Sequence, residues 1–168
     1  VKSYKKAIAI NPDFADACNN LGNVLKDLSQ LDTAVISYKN AITIKPDFAD
    51  AANNLGIVLH ELGQLNDAVK SFEMAIVIKP DFVEAYRNHG KVLMEINRTD
   101  EAMVSYESAF SLNPDLDFLL GDYLHIKSKL GIWDDWATHL NELTIKVNNG
   151  LQATSPFPLL GLIDNPEM

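Results

Sequence analysis

Residues 11–44 read NPDFADACNNLGNVLKDLSQLDTAVISYKNAITI, and residues 45–78 read KPDFADAANNLGIVLHELGQLNDAVKSFEMAIVI. The two stretches share 21 identities in 34 positions, and residues 79–112 carry the same landmarks. A repeat of this period points to stacked helical units rather than to one closed core. Within each unit two amphipathic runs flank a short polar break, as in 15–28, 29–31 and 32–44, which predicts helix, turn, helix. Pro12, Pro46, Pro80 and Pro114 recur between the units, where a missing donor and a fixed φ cost little.

The local chemistry refines these boundaries. Asp13, Asp47 and Asp81 follow the prolines and are expected to cap the first helix of each unit, with Asp16, Asp50 and Glu84 three residues later completing a capping box. Ser29, Gly63 and Asn97 stand at the break, where Gly and Asn suit the left-handed residue that ends a helix. Gly22, Gly56 and Gly90 recur, as do Ala34, Ala68 and Ala102, then Ala41, Ala75 and Ala109, which lets helix backbones approach closely. Leu25, Leu59 and Leu93, with Tyr38, Phe72 and Tyr106, are expected to fill the remaining space.

These landmarks resemble the tetratricopeptide repeat family. The string Asn-Asn-Leu-Gly at 19–22 and 53–56, the alanines, the aromatic and the closing Pro-Asp all fall at the family's spacing. The resemblance covers 12–114 as three full repeats and implies an all-α, right-handed superhelix of antiparallel helix pairs. Residues 1–11 hold Tyr4 and Ala7 at the spacing of a second helix, so the chain is expected to begin inside a repeat of a longer array, because solenoid ends carry polar capping helices.

Positions two, six, nine and thirteen of each first helix share one stripe by helical spacing. Tetratricopeptide proteins line their concave surface with this stripe. It reads Asp16, Asn20, Asn23 and Asp27, then Asp50, Asn54, Ile57 and Glu61, then Glu84, Asn88, Lys91 and Glu95. Position six is Asn in all three repeats. An amide both donates and accepts, so Asn20, Asn54 and Asn88 form a ladder able to bond the backbone of an extended peptide without reading its sequence. Duplication accounts for this recurrence between the first two repeats; in the third, Asn88 persists although its neighbours are Arg87 and His89. The acidic residues beside the ladder favour basic or neutral peptides.

Beyond Pro114 the landmarks fail, with Leu124 at the glycine position and Trp136 at the alanine position. Residues 115–150 read as a divergent fourth helix pair, helical over 116–130 and 134–147, and 151–168 as a segment broken by Pro156, Pro158 and Pro166. This part resembles the junction that follows the repeats in SPINDLY-like O-linked N-acetylglucosamine transferases of glycosyltransferase family 41. The residues that carry it are Leu119-Leu120-Gly121, Leu124-His125-x-Lys127, Trp133-Asp134-Asp135-Trp136, Pro156-Phe157-x-Leu159-Leu160 and Leu162-Ile163-Asp164-Asn165-Pro166. Ile132 stands where family members often have Cys. The resemblance implies that a longer parent transfers a sugar from a uridine-diphosphate donor to Ser or Thr of proteins, with these repeats as its substrate-docking arm. The catalytic lobes of such a parent begin after Met168, and no catalytic residue is carried over.

Composition narrows the alternatives. Fourteen Lys and Arg against 23 Asp and Glu give a net charge of −9 with no basic stripe, which disfavours nucleic acid as a partner. The longest apolar-leaning run, 151–163, is too short to span a membrane, and no secretory leader is visible. The lone Cys18 is expected to be an inert buried thiol, compatible with a reducing, cytoplasmic setting. By the same absence of a leader, Asn97-Arg98-Thr99 is a glycosylation sequon in spelling only. His60-Glu61 opens a zinc-protease pattern that Gln64 leaves incomplete, and no cofactor or metal site is expected. Trp133 and Trp136 are expected to plug the solenoid together. The expected function is therefore binding of proteins or extended peptides, not catalysis. The rival is a stand-alone adaptor of the kind that clamps chaperone C-termini. Asn23 and Asn54 fit that clamp, but its basic positions are Asn19, Glu84 and Asn88 here.

Overall fold

The computed structural model describes residues 1–4 and 14–152. Among them are eight long helices and no strand: α1 (Ala15–Asp27), α2 (Leu31–Ile44), α3 (Ala49–Glu61), α4 (Leu65–Ile78), α5 (Val83–Glu95), α6 (Thr99–Leu112), α7 (Leu119–Lys129) and α8 (Trp136–Asn148). The all-α expectation holds. Expectations for Ala7, Pro12 and Asp13, and for 153–168, lie outside the described residues. The chain divides into two compact units, 1–85 and 86–168.

In the first unit α1 packs on α2, α2 on α3, and α3 on α4. The recurring glycines set the closeness of each pair. A Cβ built on Gly22 would come 2.5 Å from the Tyr38 ring, and one on Gly56 would come 2.6 Å from the Phe72 ring. Tyr38 and Phe72 are both buried, so the helix backbone lies directly on an aromatic face. Below them Ala15, Cys18, Ala41, Phe48 and Ala51 form one apolar cluster, and Ala49, Ala52, Ala75, Phe82 and Ala85 form its copy 34 residues on. Cys18 takes the place of Ala52 in that pattern. Burial pushes its thiol pKa up, as expected of an inert cysteine.

Turns within the pairs follow from the left-handed residues. Ser29, Gly63 and Asn97 have φ of 57°, 73° and 60°. At the first break the Ser29 amide donates to the Lys26 carbonyl and the Gln30 amide to the Leu25 carbonyl, each at 2.8 Å, the two bonds of a Schellman motif. Gly63 and Gln64 repeat it against His60 and Leu59, and Asn97 and Arg98 against Met94 and Leu93.

The capping boxes are a correction. Phe14 and Phe48, not the aspartates, occupy the N-cap positions of α1 and α3, and neither end has a side-chain cap. The Phe48 amide donates to the Lys45 carbonyl at 3.2 Å, closing a turn with Pro46 and Asp47 at its centre. Phe82 and Lys79 repeat it at 3.1 Å. Both phenylalanines are buried, and Lys45 and Lys79 lie over their rings. Burying an aromatic at the entry outweighs the gain from an aspartate cap, so the helix starts later and Asp47 stays in the turn.

In the second unit α6 packs on α7 and α7 on α8. α7 starts at Leu119 rather than at residue 116, after Phe118 with φ 64°, and α8 starts at Trp136 after Asp135 with φ 57°. Leu120, Leu124, Trp136 and Leu143 form the core of this pair, with Phe110, Leu140 and Val147 against it. Lys127 is buried, and its Nζ donates to the Asp134 carbonyl at 2.5 Å, tying α7 to the loop before α8. The two tryptophans do not act alike. Trp136 is 6% exposed, whereas Trp133 is 45% exposed and meets its partner edge-on at 4.9 Å. Trp133 lies in the loop before the left-handed Asp135, which leaves one of its sides to solvent.

Candidate peptide-binding surface

Each residue expected in the stripe is exposed or half-buried. Asp16, Asn20, Asp27, Asp50, Glu61, Glu84, Lys91 and Glu95 are exposed, and Asn23, Asn54, Ile57 and Asn88 are half-buried. The alternate faces of α1 and α3 are buried, at Ala17, Leu21 and Leu25 and at Ala51, Leu55 and Leu59. Helical periodicity thus separates a packing face from a solvent-facing polar face.

In the first unit the stripe is tied together by side chains. The buried Tyr38 donates its hydroxyl to Asn23 Oδ1 at 2.8 Å. Asn54 Nδ2 donates to Asn19 Oδ1 at 3.1 Å and to Asn23 Oδ1 at 3.3 Å. Burial first, then the carboxylates of Asp27 and Glu61, holds the Tyr38 hydroxyl well above its ordinary pKa, so it remains a donor. Ile57 and Phe72 occupy the Asn23 and Tyr38 positions in the next repeat, where hydroxyl and acceptor are lost together. The two hydrogens of the Asn54 amide are thus engaged within the protein, so the side chain can meet a ligand only as an acceptor, through Oδ1. Asn20 is exposed.

The second unit holds an ionic counterpart. Arg87 stands at the repeat position of Asn19 and Asp122 at that of Asn54. Arg87 Nε lies 2.9 Å from Asp122 Oδ2, and its NH2 nitrogen lies 2.8 Å from the same oxygen. Burial raises the pKa of Asp122 against the opposing pull of Arg87. A cleft of about 390 Å³ opens beside this pair, lined by α5, α6 and α7.

Asn19, Tyr38, Arg87 and Asp122 are not among the peptide-binding residues expected from sequence. The available signal was the spacing: position five of one repeat and position six of the next are 35 residues apart, and both partners turn ionic together at Arg87 and Asp122. Among the described residues no cluster of His, Cys, Asp and Glu has the makings of a metal site, and no helix is long and apolar enough to cross a membrane.

Residues 1–29, 22–63 and 58–97 match the family described as TPR repeat, and 83–116 match that described as Tetratricopeptide repeat. No curated protein sequence matches the chain. Solved structures share its fold. MamA superposes with a TM-score of 0.79 at 20% identity, covering 89% of this chain and 87% of its own. YrrB, described as a TPR protein with an unusual peptide-binding site, gives 0.74 at 21% identity, covering 84% and 71%. The first TPR of Spaghetti (RPAP3), bound to the HSP90 peptide SRMEEVD, gives 0.67 at 19%, covering 70% and 93%.

Proposed function

Because the chain belongs to the tetratricopeptide repeat family, we propose that it is a peptide- and protein-binding module whose working surface is the first-helix stripe. The observation that carries this is that every stripe residue is exposed or half-buried, beside a packing face on α1 and α3 built mainly of alanine and leucine. Two structural neighbours are described with peptides or a peptide-binding site, which supports the same reading. Asn20, Asn88 and the Oδ1 of Asn54 bond the backbone of an extended chain. Asp16, Asp27, Asp50 and Glu61 surround the first unit's part of the stripe and favour a basic or neutral segment there.

The test is direct. Asn20→Ala with Asn88→Ala leaves the Asn54 bonds in place and is expected to weaken an unstructured peptide by about tenfold, the loss of two amide contacts. Unchanged affinity in fluorescence anisotropy would remove the ladder from the account.

A second reading is favoured by the strings at 119–136, which resemble the junction of SPINDLY-like glycosyltransferases. In it the module is the non-catalytic docking arm of a protein O-glycosyltransferase. An adaptor with no attached enzyme would use the same surface in the same way. Reading the parent gene past the codon for Met168 decides between them. Two nucleotide-binding α/β lobes support the enzyme arm, and a stop codon or an unrelated domain supports the adaptor.

A further inference from the structure

The cleft in the second unit differs in charge from the acidic stripe. Arg87 and Asp122 neutralise each other across it. The remaining ionised groups are Lys91, Lys129 and Glu95, which leave one unbalanced positive charge in the cleft. Lys91 acts electrostatically on Asp122 and Lys129 on His125, so both cations bear on the cleft's polar wall. Both are exposed, and neither forms an ion pair among the described residues. Tyr106, 3% exposed, and Met94 supply an apolar floor. None of Lys91, His125 or Lys129 follows from the repeat's own pattern, whose first repeat has Asn23 at the Lys91 position.

We propose that this cleft is a subsite for one acidic side chain of the bound peptide, its stem on Tyr106 and Met94 and its carboxylate between Lys91 and Lys129. This rests on the peptide-binding reading and adds a specificity that reading lacks. A single carboxylate balances the single excess charge. A more highly charged group would exceed it and meet Glu95 and Asp122.

His125 supplies a second readout. It shares the cleft with Asp122 and Lys129 on its own helix, Arg87, Lys91 and Glu95 on α5, and Tyr106 on α6. Burial first, then Lys129, lowers its pKa from the ordinary imidazole value, while Asp122 opposes the shift. A neutral His125 at pH 7 therefore contributes stability that is lost as pH falls through the lowered value. An incoming carboxylate raises that pKa, so affinity for an acidic peptide rises as pH falls through the same window.

The experiment selects random peptides of about ten residues, some 33 Å when extended, on the full chain. Each selected peptide is remade with its Asp and Glu changed to Asn and Gln. Neutralising one acidic residue is expected to weaken binding by about fivefold, in the range of an exposed ion pair. The Lys91→Gln/Lys129→Gln chain should bind both versions equally. The selected peptide should also raise the His125 pKa followed by proton NMR, and its neutralised version should not. Selected peptides indifferent to neutralisation, or a loss that persists in the double variant, would overturn the subsite while leaving peptide binding standing. Failure to select any peptide would overturn the binding reading and the subsite with it.

Discussion

Gly56 shows how far a single residue governs this architecture. In an exposed helix a Gly→Ala change gains about 1 kcal/mol of helix propensity. Here the added methyl would lie 2.6 Å from the ring of Phe72, which is 1% exposed and cannot step aside. Overpacking of this kind costs about 1–3 kcal/mol, so Gly56→Ala is expected to lower the melting temperature. Gly90→Ala should cost less, because its Cβ would lie 3.1 Å from Tyr106, within the small shift a ring can make. Equal losses in thermal unfolding would contradict the close approach as the reason for these glycines. The recurrence of glycine was legible in the sequence, and so was the aromatic 16 residues later. Their direct contact was not, because periodicity assigns faces without saying which atoms touch. The same limit explains Trp133. Two tryptophans three residues apart suggest one plug, but the left-handed Asp135 between them sends only Trp136 into the core.

At the scale of elements, the joint between consecutive first helices is a pair 35 residues apart. In the first unit it is Asn19 with Asn54, and in the second Arg87 with Asp122. The ionic version is under tension, since burial raises the Asp122 pKa despite the adjacent guanidinium. Removing one partner leaves the other partly buried without its counter-charge. Arg87→Asn alone is expected to cost about 2 kcal/mol, and Asp122→Asn about 1, because Arg87 keeps more solvent. The double change rebuilds the amide pair of the first unit and should cost less than the sum of the singles. A double-mutant cycle in urea checks this, and strict additivity would mean that the pair is not coupled. Helix existence and type were legible from the 34-residue period, as were the left-handed breaks at Ser29, Gly63 and Asn97. The entries were not. The pattern Pro-Asp-Phe allows either an aspartate cap or a buried aromatic, and only packing chooses the latter at Phe48. α7 starts late although the repeat's turn persists, the Leu116 amide donating to the Asn113 carbonyl at 3.3 Å, because Phe118 turns left-handed before the helix begins.

For the molecule as a whole, the net charge of −9 conceals an uneven distribution. The first-helix stripe of the first unit is carboxylate and amide, and the cleft of the second unit carries an excess cation. Each unit by itself would thus favour a different ligand charge. The acidic half of that pattern could be read from helical spacing alone. The cationic half could not, because His125 and Lys129 lie where the repeat has been rewritten and only the fold brings them beside Lys91. The central claim is that ligand chains lie along the first helices. It is tested most directly by assigning the backbone amides and titrating the chain with a selected unstructured peptide. Chemical-shift changes are expected on α1, α3 and α5, around Asn20, Asp50, Asn54, Asn88 and Lys91. Shifts confined to the outward residues of the second helices, such as Ile36, Met74 and Val77, would contradict it.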